Sequence, residues 1–323
     1  MLGLGINTVT DTGWAASSLL NVLAGNFQAR VSADAGEVEN MVCLNKDLID
    51  LTNGSDSLLI DRYASPAAAY SLRKLRRDYL GPAIRVRRDS NDEELDIFFD
   101  TAGNLDTAAL ETFCAGTDGY VDTWYDQANG NDATQTTTSA QPQIVSSGSL
   151  LTENGKPAVD FDGSDDYFEG ANKTTIDNTA IFAVIKSDSN TQDCVFVQAS
   201  FTAANLVSLG LGGLGPNNKI GSRLRVGGVP VSRVGDSTFT STEQTLVAYL
   251  ADNATGHMFI DGTEETDIVD CRHNGSITTI GARGDGQNNF NGKMQEVIFY
   301  DSDETSNRTG IETNINDFYS IYS

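Results

Sequence analysis

The sequence predicts a mainly β protein, a two-layer jelly-roll β-sandwich with a few short helices and a separate N-terminal segment. From residue 150 onward, short alternating apolar runs recur between clusters of Gly, Asn, Asp and Ser. Strands this frequent, without a long helical pattern between them, are typical of sandwiches and jelly rolls. A second observation is the run Tyr120–Tyr125, which alternates with the period of a strand and carries heavy aromatic residues.

The elements that precede this strand are read from capping and periodicity. Ser65 suits the N-cap of a helix and Pro66 its first position. The apolar spacing that follows predicts a helix over residues 67–79. Alternating residues predict strands over 83–88 and 94–99, and Asp106 is expected to cap a short helix that ends at Cys114.

The remaining chain is expected to be β except for its end. Asp261-Gly262 is a strong hairpin signal, and the apolar spacing over 307–322 predicts an amphipathic closing helix. The predicted strands are 158–161, 180–186, 194–198, 206–211, 222–226, 245–250, 256–260, 278–280 and 296–300.

Charge and composition exclude several classes of protein. The formal charge of −24 argues against nucleic acid and anionic membranes as partners. No stretch reaches the ~18–20 apolar residues of a membrane span, and no basic residue precedes Arg30, so we expect no signal peptide and synthesis in a cytoplasm. The four cysteines lie far apart, which excludes common zinc patterns and favours scattered buried thiols.

Residues 1–63 differ from the rest and are expected to be a separate segment, with residues 64–323 forming the jelly-roll domain. Two short apolar stretches within residues 1–63 cannot close a core alone. They either cap the following domain or dock onto another protein, and we expect docking.

The stretch FCAGTDGYVDTWYDQANGNDATQ, residues 113–135, resembles the signature of the alpha-L-arabinofuranosidase B catalytic domain. Residues 69–73 and 81–87 resemble the opening of versions of this module in bacteriophage virion proteins. Residues 155–167 and 292–300 resemble the first and last strands of concanavalin A-like jelly rolls. The resemblance spans residues 64–322 and implies the fold more specifically than an activity.

Glycosidases of that family are retaining enzymes, which need a nucleophile and a general acid about 5–5.5 Å apart. Asp285 resembles the family's acid. The resemblance places the nucleophile, a Glu, shortly after two adjacent cysteines, whereas this chain has only Cys194 there and no carboxylate near Ala199 or Ser200. We therefore expect no enzymatic activity, with Asp285, which also fits a turn, as the remaining catalytic candidate.

The resemblance implies a virion structural protein on a phage tail or capsid surface, for adsorption to host-surface polysaccharide or for decoration. Residues 1–63 would contact other virion proteins, and homo-oligomers fit this role. The alternatives are an active arabinofuranosidase-like hydrolase or depolymerase, pairing Asp285 with Asp162, Asp165 or Glu296, and a purely structural virion component.

Candidate ligand residues follow from side-chain chemistry. Aromatic rings stack on sugars, although an alternating strand aromatic also fits a core. The carbohydrate-binding candidates are Trp124, Tyr125, Asp126, Tyr167, Asp285, Asn288 and Asn289. We expect no metal or cofactor, although Asp160, Asp162 and Asp165 could offer oxygen ligands to a hard cation. The basic residues between Arg73 and Arg88 either bind an acidic sugar or a neighbouring acidic subunit, or pair with nearby carboxylates.

Overall fold

A computed structural model describes residues 58–170, 178–189, 194–201, 206–211, 219–226, 229–234, 237, 243–252, 255–265 and 277–323. These residues belong to one compact unit, Leu58–Ser323. Most of the predicted attachment segment, residues 1–57, lies outside the described residues, so its docking role and the boundary at residue 63 stay predictions. The described end of that segment contains helix α1 (Leu59–Arg62), whose Leu59 and Ile60 are buried.

Two further helices and a series of short strands complete the described structure. Helix α2 is Thr107–Phe113, helix α3 is Arg308–Tyr319, and a 3-10 turn covers Thr138–Ala140. The strands are β1 (Ala68–Ser71), β2 (Ile84–Arg88), β3 (Glu94–Ile97), β4 (Gly119–Trp124), β5 (Ala133–Thr134), β6 (Gln143–Ser146), β7 (Ser149–Leu150), β8 (Thr152–Glu153), β9 (Lys156–Pro157), β10 (Val159–Asp162), β11 (Phe168–Glu169), β12 (Asn178–Ser187), β13 (Cys194–Phe201), β14 (Leu206–Leu211), β15 (Ile220–Val226), β16 (Val229–Val234), β17 (Thr245–Asp252), β18 (Thr255–Ile260), β19 (Thr263–Glu264), β20 (Ile277–Ile280) and β21 (Asn291–Tyr300).

The strand pairings form two antiparallel layers. The front layer runs β3–β2–β4–β6–β10–β21–β12–β17–β18–β19, with β1 pairing to the second half of β21. The back layer runs β5–β11–β20–β13–β14–β15–β16. The layers join where β4 pairs with β5. The predicted fold class, a mainly β jelly-roll sandwich, is confirmed.

The main core lies between the layers and contains edge-on aromatic contacts. Phe161 packs against Phe168 with ring centroids 5.8 Å apart, and Trp124 packs against Phe168 at 6.1 Å. A second buried cluster covers part of the outer face of the front layer, where Ile311 and Ile315 of α3 pack with Ile298 and Tyr300. Burying such apolar surface stabilises the fold by about 25 cal/mol per Å².

Most local predictions that fall on the described residues are confirmed in place. Strands β2 and β3 lie within residues 83–99. The carboxylate of Asp106 accepts a hydrogen bond from the Ala109 N–H and caps α2 as expected. The Asp261-Gly262 turn adopts positive φ values of 51° and 75°, as a tight hairpin requires. The closing helix is α3.

The predicted helix over residues 67–79 is wrong. Ala68–Ser71 forms β1, which pairs with β21 from Ala68 opposite Phe299 to Ser71 opposite Glu296. All four residues of β1 are buried. Helical propensity is a weak preference, and pairing with β21, one of the two longest described strands, overrides it here. Ser65, the expected N-cap, has a φ of 67° and begins no helix.

Cys114 is a buried free thiol, and burial raises its pKa to about 11. Cys114 therefore agrees with the expectation that the cysteines are buried thiols; it is the cysteine whose side chain the structure describes. Among the described residues, no helix is both long and apolar enough to cross a lipid bilayer.

Candidate active site

A cleft of about 460 Å³ opens on the outer face of the front layer, on the side of the sheet away from the main core. Four neighbouring strands, β2, β4, β6 and β10, form its floor. It is polar and rich in carboxylates. Its lining residues are Arg87, Asp89, Asp92, Tyr120, Thr138, Ser139, Gln141, Gln143, Asp160, Asp162 and Asp166.

Strand alternation explains why polar residues line this floor. In each strand the residue that enters the cleft lies beside an apolar residue that points to the core: Arg87 beside Val86, Tyr120 beside Val121, Gln143 beside Ile144 and Asp160 beside Val159. Successive side chains of a strand point to opposite faces, so burial of one set places the other in the cleft.

The segment after β10 brings three carboxyl groups together. Oxygen atoms of Asp162, Asp165 and Asp166 all lie within 4.8 Å of one another. The Asp162 N–H donates to Oδ2 of Asp166 at 2.9 Å, and Oδ1 of Asp162 accepts from the N–H of Ser164 at 2.7 Å. Gly163 has a φ of +74°, a conformation that favours glycine and allows the chain to turn back here. The turn therefore fixes two carboxylates, those of Asp162 and Asp166, side by side.

Burial changes the protonation of this cluster. Asp166 is only 6% exposed, and burial raises the pKa of its carboxyl to about 7, against the lowering effect of the hydrogen bond from the Asp162 N–H. Burial likewise raises the pKa of Asp160. A carboxyl group with such a pKa is still partly protonated at neutral pH, which is the state that a general acid requires.

The opposite wall is held by Arg87, which is 5% exposed. Its guanidinium donates to Gln141 at 2.7 Å, to Asp92 at 2.8 Å and to the carbonyl of Thr138 at 3.3 Å. It also lies 5.1 Å from the ring centroid of Tyr120. Arg87 thus supports the cleft wall, and its donors are used by these contacts.

The loop between β20 and β21 borders the carboxylate turn. The amide of Asn289 lies 3.2 Å from the carbonyl oxygens of Ser164 and Gly286, so it links the two loops. Asp285, the sequence-predicted catalytic candidate, is exposed and forms two hydrogen bonds with Arg283, at 2.8 and 2.7 Å. These hydrogen bonds hold the pKa of Asp285 below its usual value. Such a carboxylate is ionised at neutral pH and does not serve as the proton donor.

Three other sugar-binding candidates lie away from this cleft. Trp124 has no exposed surface and packs between Tyr70 and Phe168, so its ring faces the core. Tyr125 donates its hydroxyl to Asp96 at 2.8 Å. Asp126 is 2% exposed, and its carboxylate accepts hydrogen bonds from backbone N–H groups of Ala69, Ala128, Asn129 and Asn131. Asp126 organises a turn.

Two more candidates lie close to the carboxylate turn. The ring of Tyr167 lies beside Gly286, 3.8 Å from the point that a Cβ there would occupy. Asn288 adopts a φ of 55° within the 281–290 loop. The structure therefore brings Tyr167, Asp285, Asn288 and Asn289 to one end of the sandwich and leaves Trp124, Tyr125 and Asp126 elsewhere.

The predicted cation ligands are partly brought together. Asp162 and Asp165 lie in the carboxylate cluster, with Asp166 completing it, while Asp160 lines the cleft beside them. Carboxylate oxygens are the donors that calcium and magnesium prefer, so this turn is where a hard cation would bind.

Five of the seven basic residues between Arg73 and Arg88 pair with carboxylates, which favours charge compensation over an anion-binding surface. The pairs are Arg73 with Glu296, Arg76 with Asp78, Arg85 with Asp96, Arg87 with Asp89 and Asp92, and Arg88 with Glu93. Glu296 is fully buried and also accepts from Ser71 and Tyr319, which removes it as a partner for substrate.

The sequence did not point to the cleft residues Tyr120, Gln141, Gln143 and Asp166, whereas Arg87 belongs to the basic stretch considered for binding an acidic sugar. Tyr120 lies in the aromatic strand that the sequence singled out, one position before the inward-facing Val121. Asp166 ends the acidic run that begins at Asp160. The alternation of inward and outward residues in this strand was the sequence feature that assigns Tyr120 to the outer face of the sheet.

A model of the family described as "Alpha-L-arabinofuranosidase B, catalytic" matches residues 61–197. In structure, the chain is similar to a GH54 α-L-arabinofuranosidase soaked with a cyclic sulfate inhibitor, with a TM-score of 0.62 and 19% identity over 77% of this chain. It is also similar to an arabinofuranosidase complexed with arabinofuranosyl-alpha-1,2-xylobiose, with a TM-score of 0.59, 20% identity and the same 77% of this chain covered. The chain covers 62% of the length of each of these two. No curated protein matches the sequence.

These comparisons contradict the expectation that the protein is not an enzyme. The family model describes a catalytic domain, and the similar structures are glycoside hydrolases. That expectation rested on the absence of a carboxylate near Ala199 and Ser200, a loosely aligned stretch whose two side chains lie outside the described residues. The alternative named above, an active hydrolase that uses carboxyl groups such as Asp162 or Asp165, did not depend on that stretch. The glycoside-hydrolase-like sandwich is shown; a virion context is a prediction from resemblance alone.

Proposed function

We propose that the domain is a glycoside hydrolase that cleaves α-L-arabinofuranosyl bonds, with Asp166 and Asp162 as its catalytic pair. The observation that carries the proposal is a buried carboxyl with a pKa raised to about 7, lining a cleft, with a second carboxylate within 4.8 Å. The similarity to arabinofuranosidases supports the choice of sugar.

Asp166 is the proposed general acid. Desolvation stabilises its protonated form and outweighs the hydrogen bond from the Asp162 N–H, which by itself lowers the pKa. It can therefore hold a proton near neutral pH and donate it to the glycosidic oxygen as the bond to the anomeric carbon breaks. After the leaving group departs, the same carboxylate accepts a proton from the water that completes hydrolysis.

Asp162 is the proposed nucleophile. It is exposed at the cleft, and its Oδ1 is oriented by N–H groups of Ser164 and Asp165. Attack by its free oxygen on the anomeric carbon forms a glycosyl ester, which water then cleaves. One oxygen of each carboxyl lies within 4.8 Å of the other, too close for the ~6.5–9.5 Å of inverting enzymes and compatible with the short separation of retaining ones. We therefore expect retention of configuration.

Other described carboxyl groups fit these roles less well. Glu296 is fully buried in an ion pair with Arg73 and has no access to substrate. Asp285 is exposed, paired with Arg283 and has a lowered pKa. It can act as an anion near the sugar, but it cannot supply the proton.

The test is hydrolysis by the full chain of 4-nitrophenyl α-L-arabinofuranoside, a ligand of a similar solved structure, and of linear arabinan. Asp162→Asn should lower kcat about 100-fold or more on both substrates. Asp166→Asn should lower kcat far more on arabinan, because nitrophenolate leaves without a proton. Glu111→Gln, an exposed change on α2, is the control and should keep wild-type rates.

The stereochemical outcome and the variants together decide the assignment. Proton NMR of the first product should show the retained anomer. Wild-type rates in both Asp162→Asn and Asp166→Asn would remove the proposed pair, and a loss confined to Asp285→Asn would move the chemistry to the 281–290 loop. Absence of hydrolysis of any furanoside would end the proposal. Display on a phage particle, virion partners and oligomerisation stay separate predictions.

A further inference from the structure

A row of residues that lie directly opposite one another on neighbouring strands crosses the front layer at the cleft. Arg87 lies opposite Tyr120, Tyr120 opposite Gln143, and Gln143 opposite Asp160. The row continues from Asp160 to Lys293 and from Lys293 to Lys186. It therefore runs perpendicular to the strands across β2, β4, β6, β10, β21 and β12.

This row is an outward-facing stripe between buried residues. Tyr120, Gln143, Asp160, Lys293 and Lys186 are all partly exposed, whereas the residues on either side of each along its strand are buried. The same outer face is covered farther along β12 and β21 by α1 and α3. The part that carries the row is left open, and its first four residues line the cleft.

The open stripe has a defined length. Neighbouring strands lie about 4.8 Å apart, so the five steps from β2 to β12 span roughly 24 Å. This is much longer than a single sugar ring. The Lys293 ammonium donates to the carbonyl of Thr152 at 2.9 Å, so the β8–β9 hairpin borders the stripe near its far end.

The side chains of the row suit a sugar chain. The ring of Tyr120 is held from one side by the guanidinium of Arg87, 5.1 Å from its centroid, and forms part of the cleft surface. Asp160 lines the cleft, where its carboxyl group can accept a hydrogen bond from a sugar hydroxyl. Gln143 adds an amide that can donate and accept.

The charged side chains of the cleft and the row favour a neutral polysaccharide over an anionic one. The cleft contains five acidic side chains, Asp89, Asp92, Asp160, Asp162 and the partly protonated Asp166, and a single arginine, Arg87, which is already paired with Asp92. The two lysines of the row are paired with Asp188 and Glu153. An anionic polysaccharide would therefore meet net repulsion.

We propose that this row is the binding groove for an extended neutral polysaccharide that lies across the strands, with Tyr120 as the ring on which one sugar stacks. The proposal rests on the proposed function, because the groove leads the polymer to Asp162 and Asp166. It makes the natural substrate a polymer rather than a short glycoside.

The test measures binding and hydrolysis by the full chain with linear arabinan, arabino-oligosaccharides of increasing length and polygalacturonate as the anionic probe. Affinity should rise with oligosaccharide length until the groove is filled, and polygalacturonate should not bind. Tyr120→Ala should weaken arabinan binding by roughly tenfold, while Tyr120→Phe, which keeps the ring, should retain most of the affinity. Phe98→Ala, which removes an aromatic ring that is 49% exposed outside the row, is the matched control.

The outcomes separate this inference from the catalytic assignment. Binding of arabinan by the hydrolytically inert Asp162→Asn variant, weakened by Tyr120→Ala, supports the groove whatever the rates are. Affinity that does not change with chain length, or an equal loss in Phe98→Ala, would overturn the groove even if the aryl glycoside is hydrolysed. Tighter binding of polygalacturonate than of arabinan would overturn the neutral-substrate assignment. Unfolding midpoints of all variants establish that each is folded.

Discussion

The carboxyl of Asp166 is held where its negative charge is unfavourable. It is 6% exposed, and its neighbours Asp162 and Asp165 are also acidic. If this carboxyl were at an exposed position one or two residues away in the chain, its ionisation would not carry this cost. Groups with strongly shifted pKa values concentrate at functional sites, because chemistry near neutral pH needs them. The destabilisation and the proposed proton donation have the same cause.

The pH dependence of stability should show this cost. The pKa of Asp166 rises from 3.8 in its ordinary state to about 7 in the fold. Below pH 3.8 the group is neutral in folded and unfolded chains. As pH rises to about 7, only the unfolded chain ionises, so the stability from the neutral carboxyl is lost. Asp166→Asn should therefore become more stable than the wild type as pH rises, by roughly 2–4 kcal/mol.

Urea unfolding of the wild type and of Asp166→Asn at a series of pH values checks this expectation. Other buried carboxyl groups titrate in the same range, including Asp261 with a pKa raised to about 6 and Glu312 with one raised to about 7. They are common to both proteins, so the difference isolates Asp166. A difference that does not vary with pH would contradict the raised pKa.

At the scale of elements, short-range chemistry predicted turns and caps well. Asp106 and the Asp261-Gly262 turn lie where their side-chain and backbone preferences place them. β1 was mistaken for a helix because its identity depends on a partner more than 200 residues away, β21. Local spacing cannot report such a pairing, and the alternation of buried residues is lost when a strand is buried on both faces.

Gly310 of α3 shows how a helix is fitted to its neighbour. Glycine normally costs a helix about 1 kcal/mol relative to alanine. A Cβ at Gly310 would lie 1.9 Å from the hydroxyl oxygen and 2.8 Å from Cζ of Tyr63, directly after α1. We expect Gly310→Ala to destabilise the protein by about 1–3 kcal/mol, because α3 must move away from Tyr63.

A double-mutant cycle measures this contact. In a Tyr63→Ala background the obstruction is gone, so Gly310→Ala should become neutral or stabilising by up to about 1 kcal/mol. Free energies of unfolding from urea titration provide the comparison. Equal effects of Gly310→Ala in the two backgrounds would mean that Tyr63 does not set the requirement for glycine.

At the scale of the whole molecule, the sequence predicted the sandwich because the repeated alternation of apolar and polar residues identifies strands whatever the order in which they pair. It could not predict the cleft, whose floor depends on the order β2–β4–β6–β10 and on the register between those strands. Trp124 illustrates the difference. Its strand was identified correctly, but only the layer joined at β4 and β5 buries its ring between Tyr70 and Phe168.

The net charge of the molecule leads to the last prediction. With 45 acidic and 21 basic residues, most carboxylates lack a cationic partner even if every basic group forms one pair. Repulsion among them opposes the compact state. Exposed ion pairs such as Arg85 with Asp96 stabilise by only about 0–1 kcal/mol each. Screening should therefore relieve more repulsion than it removes attraction.

We expect the Tm at pH 7 to rise by several degrees as NaCl is increased from about 10 mM to about 500 mM, over which the Debye length falls from about 30 Å to below about 8 Å. The control is the same titration near the sequence pI of 4.2, where the net charge and hence the effect of salt should be small. A Tm that falls with salt at pH 7 would show that the ion pairs of the β2–β3 region outweigh the repulsion. A rise of equal size at both pH values would assign the effect to preferential exclusion of salt rather than to charge.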